Sequence, residues 1–184
     1  MPTVTSYFVT ALSLLSIVPS ILYGLIAPFQ IEYTHPFSLG TIHYGLYQAC
    51  TSTTCRPFPD WTRDCNETAF CHGWLLARYL LLSAAILSLL LTMEALGALC
   101  GGSGRRHRAW KVLSPLLLLL GLVLAGIEFI IVHWKNQADI FRLGTTSYGY
   151  SMVLVYASSL ISIASSLGLL VRGCSSPGVY QRLD

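Results

Sequence analysis

Four long apolar runs constrain this chain more than any other feature. They extend from about Tyr7 to Phe29, Trp74 to Leu99, Val112 to Trp134 and Tyr148 to Val171. Each is near or above the roughly 20 residues with which a helix crosses about 30 Å of hydrocarbon. With 54% of residues apolar and 10% charged, there is too little polarity to coat a soluble globule of this size. The expectation is a single membrane domain over residues 1–184, an all-α four-helix bundle with spans at about 7–29, 74–99, 112–134 and 148–171. A cleaved signal peptide is the competing reading of the first run. Met1–Ser6 carries no basic residue, however, the run is long, and no small-residue cleavage site follows it, so it is read as a span.

Short-loop charge orients the spans. The segment "GGSGRRHRAWK" between spans two and three concentrates Arg105, Arg106, Arg108 and Lys111, which the positive-inside rule makes a cytoplasmic loop. Both termini and the tail 172–184 are then cytoplasmic, and residues 30–73 and 135–147 face the exterior or a lumen. Trp74, Trp110 and Trp134 fall at the expected interfaces, where an amphipathic indole is favoured. The net charge of +3 is accounted for by this topology. The "RRHR" run is the weaker nucleic-acid signal, and no nucleic-acid partner is expected.

Four of the six cysteines, Cys50, Cys55, Cys65 and Cys71, lie in the first exterior loop, on the oxidising side of the membrane. An even number there points to two disulfides, with three connectivities open. A zinc site is the rival, but the compartment and the absence of a C-x-x-C pair disfavour it, and no metal is expected. Asn66-Glu67-Thr68 forms a glycosylation sequon at Asn66. Around Gly45, Thr41, His43, Gly45 and Tyr47 alternate with Ile42, Tyr44 and Leu46, the period of a half-buried strand. A sheet this small needs crosslinks to stay folded.

"GLYQAC" followed by a second cysteine, between spans one and two of a four-span chain, resembles the G-L-W-x-x-C...C signature of the claudin and peripheral myelin protein superfamily. "LLARYLLLS" is similar to that family's arginine at the outer end of span two, which maps onto Arg78. "HWKNQADIF...YGYSMVLVYAS" resembles its third-span exit and fourth-span entry, so the resemblance covers nearly the whole chain. Tyr47 stands where the family has tryptophan. The resemblance implies a small disulfide-stapled extracellular β-sheet on the bundle, seated through Gly45, Leu46 and Tyr47. It also implies a Cys50–Cys55 link, which leaves Cys65–Cys71 as the first choice and Cys50–Cys65 as the alternative.

Within the spans, Arg78 and Glu128 lie about five residues inside their outer boundaries, at equal depth on antiparallel neighbours. They are placed to pair. The alternative has Arg78 snorkelling outward to cap backbone carbonyls of the sheet. Either structural role is preferred to an ion pathway, because both charges lie close to the interface. Glu94, near the basic loop, is read as solvated or paired there. Pro19 and Pro115 are read as kinks. Ser16, Ser20 and Gly24 on span one, and Ser158, Ser162 and Ser166 on span four, recur every four residues and are read as close-packing faces, within the monomer first, with a dimer face as the alternative.

At the cytoplasmic edge, Cys100 and Cys174 are juxtamembrane thiols suited to palmitoylation. Tyr180 to Leu183 has the form of a tyrosine-x-x-hydrophobic sorting signal for clathrin adaptors, which would cycle the protein through endosomes or lysosomes. His35, His43 and Asp60 are scattered loop residues. Nothing assembles a catalytic constellation, so neither an enzyme nor a cofactor is expected. The leading functional expectation is a plasma-membrane protein whose extracellular loops act in adhesion, junction formation or membrane organisation. Its partners would be the lipid bilayer and other membrane proteins, or itself in cis or trans. The alternative is an auxiliary subunit of a channel, receptor or transporter, and a pore is the third reading.

Overall fold

The computed structural model describes residues 3–27, 30–34, 40–65, 67–141 and 144–174. Asn66, His35 and the Tyr180–Leu183 signal lie outside the described residues. In chain order the elements are α1 (Val4–Ile26), β1 (Ile31–Thr34), β2 (Thr41–Tyr44), β3 (Gln48–Cys50), β4 (Cys55–Pro57), α2 (Thr68–Cys100), α3 (Ser103–Gln137), a 3-10 turn (Asp139–Phe141), β5 (Thr145–Tyr148) and α4 (Tyr150–Cys174). All four helices are long and apolar enough to cross a membrane, which makes the chain a multi-pass membrane protein.

Each helix packs on two neighbours, α1 on α2 and α4, and α3 on α2 and α4. The core is filled by Tyr7, Leu14, Ile17 and Ile21 of α1, Leu81 of α2, Leu113, Leu117, Leu120, Leu124 and Ile127 of α3, and Val155 of α4. Large apolar side chains also cover the outside, including Ile86, Leu90, Phe129 and Val171. Helices that are apolar on every side belong in lipid.

Two helices differ from the hydropathy reading. With 33 and 35 residues, α2 and α3 are each about 50 Å long, well beyond one hydrocarbon thickness. The expected basic loop is therefore no loop. The chain turns at Gly101–Gly102, and Arg105, Arg106, Arg108 and Lys111 lie in the opening turns of α3. Hydropathy marks where lipid ends, whereas Arg, Ala and Lys all favour a helix that continues into water. Glycines make the turn close: a Cβ at Gly97 would lie 2.6 Å from an Arg105 guanidinium nitrogen, and one at Gly101 would lie 2.7 Å from Arg105 Cδ.

The α3–α4 seam carries serines, the expected Ser166 among them. Ser166 Oγ donates to Ser114 O at 2.8 Å and Ser159 Oγ to Gly121 O at 3.0 Å, while Ser158 and Ser162 are buried. A Cβ at Gly121 would meet Ile163 Cγ1 at 2.6 Å, so small residues set this approach. On α1 packing within the monomer holds for Gly24 but not for Ser16 and Ser20. Gly24 is buried, but Ser16 is exposed, and Ser16 and Ser20 donate to their own helix at Ser13 O and Ser16 O. The buried stripe of α1 runs instead through Tyr7, Leu14 and Ile21.

One end of the bundle carries a five-stranded antiparallel sheet in the order β4-β3-β2-β1-β5. Ile31 pairs with both Tyr44 and Tyr148, so the segment between α3 and α4 closes the sheet begun between α1 and α2. Alternation in the sequence extends to Tyr47, but the strand stops at Tyr44. Gly45–Tyr47 is a bend in which the Gly45 amide bonds Gln48 O at 2.9 Å.

Candidate functional site

That bend is where sheet and bundle meet. It turns two backbone carbonyls toward the bundle, and α2 supplies the donors. Trp74 Nε1 donates to Gly45 O at 3.2 Å, and Arg78 Nε donates to Leu46 O at 2.6 Å. Arg78 Nη2 reaches Phe58 O as well, and the guanidinium carbon lies 4.6 Å from the centre of the Tyr47 ring. Spacing of four residues puts Trp74 and Arg78 on one helix face, and the rigid guanidinium fork serves two carbonyls from one side chain. Leu46 and Phe58 are both fully buried beside it.

The expected Arg78–Glu128 pair does not form. Arg78 turns up into the sheet, and among the described residues Glu128 Oε1 is buried without a hydrogen-bond partner. The carbonyls of Leu46 and Phe58 hold the guanidinium instead. Trp74, expected at the membrane interface, points into the molecule. It is fully buried, in edge-to-face contact with Phe58 at 5.4 Å.

Aromatic rings continue the seat. Tyr44 packs on Phe58 and Phe141, and Phe70 packs on Trp74 and Trp134. Gly73 is required by this packing, because a Cβ there would fall 2.2 Å from Trp134 Nε1. Gln30, fully buried, ties α1 to the sheet: its Nε2 donates to Gly24 O at 2.8 Å and its backbone amide to Tyr44 O at 2.9 Å. Burial pushes the Tyr44 hydroxyl above its ordinary pKa. Phe58, Phe141 and Gln30 give no sequence signal, since lone residues in polar loops have no periodicity to read.

Two disulfides hold the rest. Cys50–Cys55 ties β3 to β4 at their hairpin tip, and Cys65–Cys71 ties the segment before α2 to its opening turn. The four sulfurs are thereby used. Between them Arg56 grips buried Asp64 through two contacts, 2.5 and 2.8 Å. Asp64 Oδ2 also accepts from the Asp60 amide. That bidentate bond raises the Arg56 pKa. Asp60, capped by the backbone amide and hydroxyl of Thr62, is held below the usual carboxylate range. His43 lies 3.8 Å from Glu32 across the β1–β2 pair. Exposed above this frame are the hairpin tip Thr51–Thr54 and Trp61, the latter 56% exposed.

At the opposite, basic end, Tyr7 Oη donates to Arg106 O and Arg172 donates to Ser6 Oγ. Cys100 and Cys174 are unbridged and exposed there. Among the described residues no group of three or more His, Cys, Asp or Glu is placed to hold a metal ion.

No family model matches the chain, and no curated protein matches it significantly.

Proposed function

We propose that the chain is a divergent claudin-like membrane protein that acts through contacts of its sheet end, in cell adhesion, junction formation or membrane organisation. In this reading the sheet is extracellular, the basic end and both termini are cytoplasmic, and the protein resides in the plasma membrane. Cys100 and Cys174 are then within reach of cytoplasmic palmitoylation. The observation that carries the proposal is the contrast within the sheet itself. Its seat is clamped by Arg78 and Trp74 and its β3–β4 hairpin is tied by Cys50–Cys55, while Thr51–Thr54 and Trp61 are left to solvent. A rigid support with an exposed tryptophan suits protein recognition, because the surface is ordered before binding and a large ring is available as an anchor.

Expression in cells that lack adhesion proteins tests this. Enrichment at borders between two expressing cells, and its loss in Trp61→Ala with surface delivery intact, is the expected result. Uniform surface distribution, or residence wholly in endolysosomes, overturns it.

A further inference from the structure

The carboxylate left behind by Arg78 lines a groove on the outside of the bundle. Glu128 and Val132 of α3 form one wall, Met152, Val153 and Tyr156 of α4 the other, and Tyr148 of β5 the lip, enclosing about 330 Å³. Apart from the carboxylate and the tyrosine hydroxyls the lining is apolar. Glu128 Oε1 is covered yet accepts no hydrogen bond. An acceptor stranded in hydrocarbon is costly, and such residues pair when a donor is offered.

We propose that this groove is the docking site for a transmembrane helix of another protein, one that presents a lysine or arginine to Glu128. This goes beyond any role of the sheet, since the groove faces the membrane. The lining selects a helix over a phosphate headgroup. Glu128 is the one charged residue among Val132, Tyr148, Met152, Val153 and Tyr156, a lone carboxylate that repels an anion and takes one cationic side chain between apolar walls. Charge selects a different protein over a second copy. In the sheet-side half of the four helices this sequence has two cations, Arg78 and Lys135. The first is engaged by Leu46 and Phe58, and the second lies 3.5 Å over the Tyr148 ring. Within the bilayer the contact is a charge-assisted hydrogen bond from partner nitrogen to Glu128 oxygen, with the apolar walls packing on the helix around it.

The full chain in lipid nanodiscs tests this with a defined probe, a polyleucine transmembrane peptide bearing one lysine six residues below its interfacial tryptophan. By energy transfer, the lysine peptide is expected to bind about tenfold more tightly than its all-leucine twin. Glu128→Leu should abolish that preference, and Glu94→Gln, at the basic end, should leave it intact. Val153→Trp fills the groove without touching the carboxylate and should also weaken binding, and disulfide mapping of each variant confirms folding. Equal binding of the two peptides, or a lysine preference that survives Glu128→Leu, overturns the proposal. Glu128-dependent dimerisation without peptide, or sterol competition with the peptide at Glu128, also overturns it by assigning the groove to another occupant.

Discussion

Two charges lie on adjacent helices of the sheet-side half, and the protein treats them in opposite ways. Arg78 is held from three sides, by the carbonyls of Leu46 and Phe58 and by the Tyr47 ring. Glu128 Oε1 has no hydrogen-bond partner among the described residues. The difference lies in what surrounds each residue. The bend at Gly45–Tyr47 and the Phe58 carbonyl present acceptors to Arg78, whereas the α3–α4 face offers Glu128 apolar walls and an opening. A charge in an apolar bundle is retained either because the fold uses it or because something outside does.

Removing Arg78 should have the largest effect. Arg78→Leu strips the donors from the carbonyls of Leu46 and Phe58, both buried residues, and a loss of about 3–5 kcal/mol is expected. Denaturant unfolding in lipid–detergent micelles, followed by Trp74 fluorescence, measures it. Arg78→Lys should recover less than half, because a point charge does not span both carbonyls. A loss below about 1 kcal/mol for Arg78→Leu would mean that the disulfides and aromatic rings seat the sheet without the clamp.

The sequence carries this contrast only in part. The apolar runs locate all four helices because their period and length are set by the bilayer, and the cysteines declare a stapled region by their crowding. The ends of α2 and α3 were hidden, since a helix that continues into water is invisible to hydropathy. Partner choice was hidden for another reason. Equal depth brought Arg78 and Glu128 together on paper, but the rotation of each helix decides what a side chain meets. The same rotation turns Ser16 and Ser20 away from the core and Trp74 into it. The fifth strand was missed because Thr145–Tyr148 becomes a strand only by pairing with β1, 115 residues away at Glu32–Ser147.

Glu128 should behave in the reverse sense. Glu128→Leu replaces an unmatched acceptor by a side chain of comparable size, so the isolated protein is expected to gain about 1 kcal/mol or stay unchanged. The same unfolding experiment checks this. A loss of more than about 1 kcal/mol would break the comparison by revealing an internal partner for the carboxylate.

The smallest effect probes the clamp without altering it. Tyr44 packs on Phe58, whose carbonyl Arg78 holds, and burial raises its pKa above the model-peptide value of 10.0. The folded state therefore keeps the phenol protonated where the unfolded chain has begun to lose its proton. Below pH 10 the two states carry the same proton, and this contribution to stability is fully present. Above that value the unfolded chain ionises first, so stability falls as pH rises through the folded pKa. Unfolding measured from pH 8 to about 11 should show this alkaline decline, and Tyr44→Phe should flatten the part due to this ring while leaving stability at pH 8 nearly unchanged. A decline identical in Tyr44→Phe would mean that the hydroxyl reaches water in the folded state, and that the aromatic seat beneath the sheet is looser than the Arg78 clamp beside it.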